Sequence, residues 1–342
     1  MQNLKHFEKL AAEDFGLVLE SPAESISAGN INRTAVVRSS SGVFVLQDIN
    51  TSVFVDPAAL MANVAMIVER QRRQSIPAIE LRPTTTGELL ARSEGSFWRC
   101  YAFIEGHATP PITSRNEAQA TARAFGRFAK AIDGLELVEH LPGYHDFDSR
   151  VDAFVDAVET DKVGRLNDCE QQVQDLMAMT DRLRLTSAYG LWGGLPIRNA
   201  HNDAKGPNCI IGVVGRTIID LDTTMPGTVL SDIGELVRSS TREMGNAGPE
   251  ELMRQITSVN RGFIAGFGDG LTAEEHDCML LAGPLLALEN ALRFTADHLA
   301  GDVYYGADTP DQNLERGAVQ LELAQRLVAA IELATSGWLT GN

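Results

Sequence analysis

The chain has 342 residues, with 29 Lys and Arg against 46 Asp and Glu, a formal net charge of −17 and 44% hydrophobic residues. This composition describes a globular chain of one large or two smaller domains and excludes a disordered or collagen-like one. The acid excess, with no basic stripe, excludes a broad nucleic-acid footprint but leaves room for a small anionic ligand held by a few placed donors. Cys100, Cys169, Cys209 and Cys278 stand far apart without a C-x-x-C pair, which reads as reduced thiols and not as a zinc ribbon or redox dithiol. Met1 to Glu20 lack the apolar core of a signal peptide, and the most apolar stretch, Cys278 to Leu288, is too short to span a bilayer. The expected setting is cytoplasmic, with no membrane partner.

From Ser27 to Ile104 the sequence reads as short β-rich runs around one helix. The runs Arg33 to Arg38 and Val43 to Ile49, split by Ser39-Ser40-Ser41-Gly42, predict a hairpin. Asp56 as N-cap, Pro57 at the first helical position, and Leu60, Met61, Val64, Ile67 and Val68 on one face predict a helix through to Glu69. Strands are expected again at Ile76 to Leu81, Glu88 to Arg92 and Phe97 to Ile104, punctuated by Pro83, Thr86-Gly87 and Ser93 to Ser96.

After Glu105 helical periodicity takes over: Asn116 to Ile132, Ser149 to Val158, Glu170 to Leu183, Pro249 to Phe267, Thr272 to Leu299 and Pro310 to Leu333. Thr272 with Glu275 matches a capping box, and Pro284 predicts a kink or break in that helix. Gly262, Gly266, Gly268 and Gly270 read as a helix terminus and loop. One β-branched interruption, Cys209 to Val214 and Thr217 to Asp222 split by Gly215-Arg216, predicts a small hairpin. Tyr101 to Pro111 marks the expected hinge between an N-terminal lobe, 1–104, and a helical lobe, 105–342, and a cleft between lobes is a common ligand site.

His201-Asn202-Asp203-Ala204-Lys205-Gly206-Pro207-Asn208 has the spacing H-x-D-x-x-x-x-N, and the hairpin after it ends in Ile219-Asp220-Leu221-Asp222. That is the order of a catalytic loop and metal aspartate of the protein-kinase type. Phosphoryl transfer needs one carboxylate to orient the attacking hydroxyl and accept its proton. It also needs an amide oxygen and a second carboxylate to hold magnesium on the nucleotide phosphates. Asp203, Asn208 and Asp220 supply that set. The plainer alternative is a capped turn followed by ordinary acceptors at a strand end; agreement of three features in order and context favours the site.

The sequence resembles the aminoglycoside phosphotransferase and choline kinase superfamily, and within it the N-acetylhexosamine 1-kinase branch. The blocks that carry the resemblance are Gly29 to Thr34, Phe44 to Thr51, Val53-Phe54 with Asp56-Pro57, Trp98 to Gly106, His201 through Pro226-Gly227 to Asp232, and Glu289 to Gly301 continuing through Tyr305 and Asn313-Leu314. The resemblance implies an α+β, protein kinase-like bilobal fold with a strand-rich N-terminal lobe and a mainly helical C-terminal lobe. It also implies use of ATP and Mg2+ to phosphorylate the anomeric hydroxyl of a free sugar. By that analogy Asp203 is the catalytic base and Asn208 and Asp220 bind metal, with Asp222 in the same set one step further from the ion. Asn202, Arg293 and Tyr304 face the sugar, with Tyr305 the alternative inward-pointing tyrosine.

The pattern departs from protein kinases at the lysine that holds the α- and β-phosphates and pairs with a helix glutamate. No lysine stands between Lys9 and Lys130, and the strand carries Gln47 and Asp48 instead. Arg33 or Arg38 in the covering hairpin and Lys205 beside Asp203 are the candidate substitutes; Gln47 offers two amide hydrogens but no charge. Glu69 is the candidate helix partner, with an exposed face beside Arg70 as its plainer reading. Asp232 is expected to hydrogen-bond the catalytic-loop backbone, and His145, like the other scattered histidines, reads as a satisfied polar group. There is no G-x-G-x-x-G loop and no P-loop. Two other readings remain: a different hydroxyl acceptor (choline, an aminoglycoside or homoserine), or a binding protein without turnover, motivated by the missing cation. An aromatic content of 6% favours a neutral acceptor over a cationic one.

Overall fold

The structure, a computed structural model, describes residues 4–26, 31–110, 112 and 114–335. Expectations resting on Ser27, Gly29, Asn30 and Pro111 lie outside those residues. In chain order the first elements are α1 (Leu4–Glu13), β1 (Glu24–Ile26), β2 (Arg33–Ser39), β3 (Gly42–Ile49), α2 (Pro57–Arg73), β4 (Leu81–Arg82), β5 (Ala91–Ser93), β6 (Ser96–Ala102) and β7 (Gly106–Ala108). There follow α3 (Arg115–Ile132), α4 (Phe147–Thr160), α5 (Leu166–Arg184), α6 (Ser187–Trp192), β8 (Arg198–Ala200), β9 (Cys209–Gly212) and β10 (Gly215–Ile218). The last helices are α7 (Val229–Arg242), α8 (Pro249–Phe267), α9 (Ala273–Ala300) and α10 (Gln312–Ala334).

The chain divides into two compact units. The first comprises Met1–Ala108, Gly134–Pro142 and Cys209–Pro226; the second comprises Thr109–Asp133, Gly143–Asn208 and Gly227–Asn342.

In the first unit β1-β2-β3-β6-β4 form an antiparallel sheet, with β5 also pairing with β6. Alternation sorts its two faces. Ala35, Val37, Phe44, Leu46, Trp98 and Cys100 join Phe7, Leu10 and Phe15 in one apolar core, where Phe7 meets Trp98 edge-on at 4.9 Å between centroids. The opposite face carries a polar row, because Thr34 pairs with Gln47 and Gln47 with Arg99 in register. Asp56 caps α2 as expected, accepting from Ala58 N at 3.1 Å and Ala59 N at 3.0 Å, and the helix runs on to Arg73. Of the runs expected as strands at 76–81 and 88–92, only Leu81 and Ala91-Arg92 lie in strands, β4 and β5, each of which ends one residue beyond its run.

The second sheet of this unit has the order β10-β9-β7. Its hairpin turns at Val213-Val214, two residues earlier than expected, and leaves those valines 96% and 77% exposed. The flanking glycines override β-propensity here: Gly215 has φ +114°, and a side chain on Gly212 would come within 2.8 Å of the Glu105 carbonyl oxygen. Asp220 then enters a 3-10 turn, Leu221–Thr223.

The second unit is helical apart from β8. Its long α9 begins with the expected capping box of Thr272 and Glu275. The helix continues through Pro284 without a break, because α9 is buried along most of its length and packing outweighs the lost hydrogen bond. Gly262 and Gly266 lie inside α8 and bring it close to α3; added side chains would meet Gln119 O at 2.3 Å and Arg123 O at 2.1 Å. Gly268 alone caps that helix. The sequence reading did not include α7, which starts at an N-cap Thr228. Among the described residues no helix is long and apolar enough to cross a membrane.

Candidate active site

The catalytic-loop sequence follows β8 in the second unit. His201 is fully buried, with the rings of Phe125 and Phe128 packed against it at 5.3 and 5.7 Å. Asn202 holds a left-handed φ of 63°, which an ordinary residue keeps only where its surroundings fix it. Three groups do so. Asp232 on α7 accepts the backbone N–H groups of His201 at 3.0 Å and Asn202 at 2.8 Å. Ser231 Oγ donates to Asn202 Oδ1 at 2.9 Å. His145 Nε2 donates to the Asn202 carbonyl at 2.9 Å, while its Nδ1 sits 3.0 and 3.1 Å from the two carboxylate oxygens of Glu289. Asn202 is thus 4% exposed and turned into the protein, bracing the loop with its side chain.

Burial pushes the Asp232 carboxyl above its usual range, against the pull of the two backbone donors. Burial works against a charged His145, yet the Glu289 carboxylate and the Asn202 carbonyl outweigh it and hold the imidazole pKa above the ordinary 6.5. The loop is therefore backed by buried ionisable groups whose hydrogen bonds go to its backbone.

The Asp203 side chain is 25% exposed. Its Oδ2 accepts from Lys205 Nζ at 2.7 Å and from Asn208 Nδ2 at 2.9 Å, and Asn208 Nδ2 also reaches the Asp203 carbonyl at 2.9 Å. One carboxylate oxygen is fixed by two donors, so the group has a defined direction. Asn208 thus meets Asp203 through its amide nitrogen.

The same unit holds Arg293 on α9, one turn beyond Glu289. Its guanidinium lies 5.8, 5.9 and 5.5 Å from the ring centroids of Tyr144, Tyr304 and Tyr305. Tyr304 is 62% exposed, whereas the Tyr305 hydroxyl is buried with no hydrogen-bond partner among the described residues. Burial raises the Tyr305 pKa to about 12. Burial and the negative charge of Asp203 together raise that of Tyr144, a residue the sequence reading did not select. Asp297 accepts the backbone N–H groups of both Tyr304 (2.8 Å) and Tyr305 (2.9 Å), which fixes the loop after α9.

The first unit carries the remaining candidates. Asp220 has φ 59° and ψ 56°. Asp222 is 2% exposed and forms a two-pronged ion pair with Arg99, Nη1 to Oδ1 at 2.6 Å and Nη2 to Oδ2 at 2.8 Å. Asn32 Nδ2 adds a bond to Oδ2 at 2.7 Å. With both oxygens engaged, Asp222 braces the turn and is not arranged as a metal ligand. Gln47 accepts from Arg99 and donates to Thr34. Arg33 pairs with Asp48 across β2 and β3 (Nε to Oδ2 2.9 Å), and half-exposed Glu69 pairs with Arg73 one turn on. The sequence gives only one signal of Arg99, a charge inside the largely apolar strand β6, in register with Gln47.

Among the described residues no group of three or more His, Cys, Asp and Glu forms a metal cluster. Asn208 in the second unit ends in an amide oxygen and Asp220 in the first unit in a carboxylate, and each is a hard oxygen donor of the kind that suits Mg2+.

Residues 22–270 match the family model described as phosphotransferase enzyme family. Similar solved structures include a spectinomycin phosphotransferase in complex with ADP and spectinomycin, at TM-score 0.63 and 13% identity over 96% of this chain and 98% of that one. A choline/ethanolamine kinase family protein from Mesorhizobium loti gives 0.58 and 17% over 97% and 100%. A microcompartment-associated aminopropanol kinase gives 0.62 and 12% over 96% and 98%. At these identities the likeness establishes the fold, the protein kinase-like one.

Proposed function

This chain belongs to the phosphotransferase enzyme family, and from that membership we propose that it is an ATP- and Mg2+-dependent kinase of a small hydroxyl compound, a free sugar phosphorylated at its anomeric hydroxyl, with N-acetylhexosamines first. The observation that carries the reading is Asp203, partly open and held by Lys205 and Asn208 through one oxygen. Asp203 orients the acceptor hydroxyl and takes its proton. Asn208 and Asp220 are the residues that would hold the ion, which would shield the charge on the nucleotide phosphates. Lys205, which donates to Asp203, is the cation nearest the base and the one this reading offers to the phosphate in transfer, while Arg33 pairs with Asp48 in the first unit.

Arg293 among tyrosines supports the choice of acceptor. The Arg293 guanidinium, 4.0 Å from Glu289, suits an acceptor with a carbonyl or hydroxyl oxygen to accept its hydrogens. Tyr144 and Tyr305 supply ring faces and hydroxyls of the sort that pack against and hydrogen-bond a sugar.

ADP release from ATP and Mg2+ over a panel of N-acetylhexosamines, other free sugars, choline, spectinomycin and aminopropanol tests this. Release with a sugar is the expected result. Amines phosphorylated with sugars inert would overturn the acceptor, and no release with nucleotide binding intact would favour a binding protein without turnover.

A further inference from the structure

We propose that Arg99 is the cation this chain places on its sheet where protein kinases have the strand lysine, and that it acts as a positioning residue: it holds Asp222 and, through it, the turn that carries Asp220. The inference rests on the phosphotransferase reading above.

The charge has moved one strand sideways. Thr34, Gln47 and Arg99 occupy one cross-strand row over β2, β3 and β6. Gln47, in the expected lysine position, donates to Thr34 Oγ1 at 3.1 Å and accepts from Arg99 Nε at 2.9 Å and Nη2 at 2.7 Å. Neighbouring strands lie about 4.8 Å apart, a shift the long arginine side chain spans. The carboxylate partner has moved as well: Glu69 on α2 pairs with Arg73, and Asp222 takes the guanidinium instead.

The pair is almost wholly buried, Arg99 being 5% and Asp222 2% exposed. A buried pair of this kind adds little net stability over apolar packing, so stability does not account for it; what two parallel hydrogen bonds supply is direction. Asp220 lies two residues before Asp222 in a left-handed conformation that a non-glycine residue keeps only when its surroundings over-determine it. Around that turn the Arg99 fork and Asn32 hold the Asp222 carboxylate, with His140 Nε2 at 2.6 Å from the Asp222 carbonyl oxygen. Asn32 also accepts the Asn50 N–H at 3.0 Å, tying the start of β2 to the end of β3 within the same network.

Arg99→Lys keeps the charge and loses the fork, and Asn32→Ala removes a peripheral bond while leaving the ion pair intact. Nucleotide affinity with Mg2+, nucleotide affinity in EDTA, and kcat are measured for each folded variant. Arg99→Lys should raise the Mg2+ concentration for half-maximal nucleotide binding and lower kcat, each about tenfold, the worth of one good hydrogen bond. Affinity in EDTA should stay unchanged. Asn32→Ala should move the same quantities in the same direction by less. Wild-type Mg2+ dependence in Arg99→Lys would overturn the positioning role. An equal loss of affinity in EDTA would also overturn it, because Arg99 would then touch phosphate directly. Should Arg99→Lys fail to fold, Asn32→Ala decides, and unchanged Mg2+ dependence there overturns the proposal. A wild-type protein that binds no nucleotide would overturn the phosphotransferase reading beneath it, a result distinct from wild-type binding with both variants indifferent.

Discussion

Asp232 accepts the backbone N–H of Asn202 at 2.8 Å, and Asn202 holds φ at 63° immediately before the proposed base. The same carboxylate takes the N–H of His201, and Asp232 is fully buried. Asp232→Ala leaves two buried donors unpaired, which should cost about 2–4 kcal/mol. The freed loop should also lower kcat about a hundredfold, the scale of misplacement near a reacting group. Urea denaturation and turnover check this, and wild-type stability in Asp232→Ala would contradict it.

His145 makes the loop sensitive to pH. It faces Glu289 and Arg293 on α9, and Asp232 and Glu235 on α7 also act on it electrostatically. Its folded pKa is raised above 6.5, so its contribution to stability is complete below the unfolded value and is lost as pH rises through the folded one. Once neutral, Nε2 can no longer donate to the Asn202 carbonyl while Nδ1–H is held by Glu289. His145→Gln, which donates at every pH, should be less stable than wild type by about 1–2 kcal/mol at pH 6 and should approach it as pH rises. Thermal melts across pH 6 to about 9, the range in which a raised histidine titrates, measure this; a gap that does not narrow would contradict it.

On the proposed reading, Arg293 contacts the acceptor and not the nucleotide. Arg293→Gln removes the charge among Tyr144, Tyr304 and Tyr305 while keeping a donor. The acceptor KM should rise at least about tenfold, as for loss of a charged hydrogen bond, with the ATP KM unchanged. A rise in both constants would place Arg293 in the nucleotide site or in general stability.

The sequence made local chemistry legible and left long-range partnerships hidden. His201 to Asn208 and Asp220 could be read because a contiguous motif fixes their order, and Asp232 could be expected by its distance from that motif. Arg99 could not, because its partner Asp222 lies 123 residues away and a lone arginine in a strand has many readings. The resemblance implies an Asn202 that faces the acceptor; in the structure it has a left-handed backbone and accepts from Ser231 Oγ, contacts between distant residues that a motif does not reveal. Nothing in the sequence separates the adjacent rings of Tyr304 and Tyr305; in the structure Tyr304 is exposed and the Tyr305 hydroxyl is buried. Elements bounded by glycine, proline or a cap, such as α2 and α9, fell close to their expected ends. The hairpin turns at Val213-Val214, earlier than its β-branched residues suggest, because the flanking Gly212 and Gly215 set the turn.

Turnover by Asp203→Asn is the most direct measurement of the central claim. Asparagine keeps the shape of the side chain and cannot take a proton, so kcat with the best acceptor should fall about 10²- to 10⁴-fold, while Mg2+-dependent nucleotide affinity stays within about twofold, well under the tenfold of one lost hydrogen bond. A folded Asp203→Asn protein that binds nucleotide and keeps wild-type turnover would contradict the account.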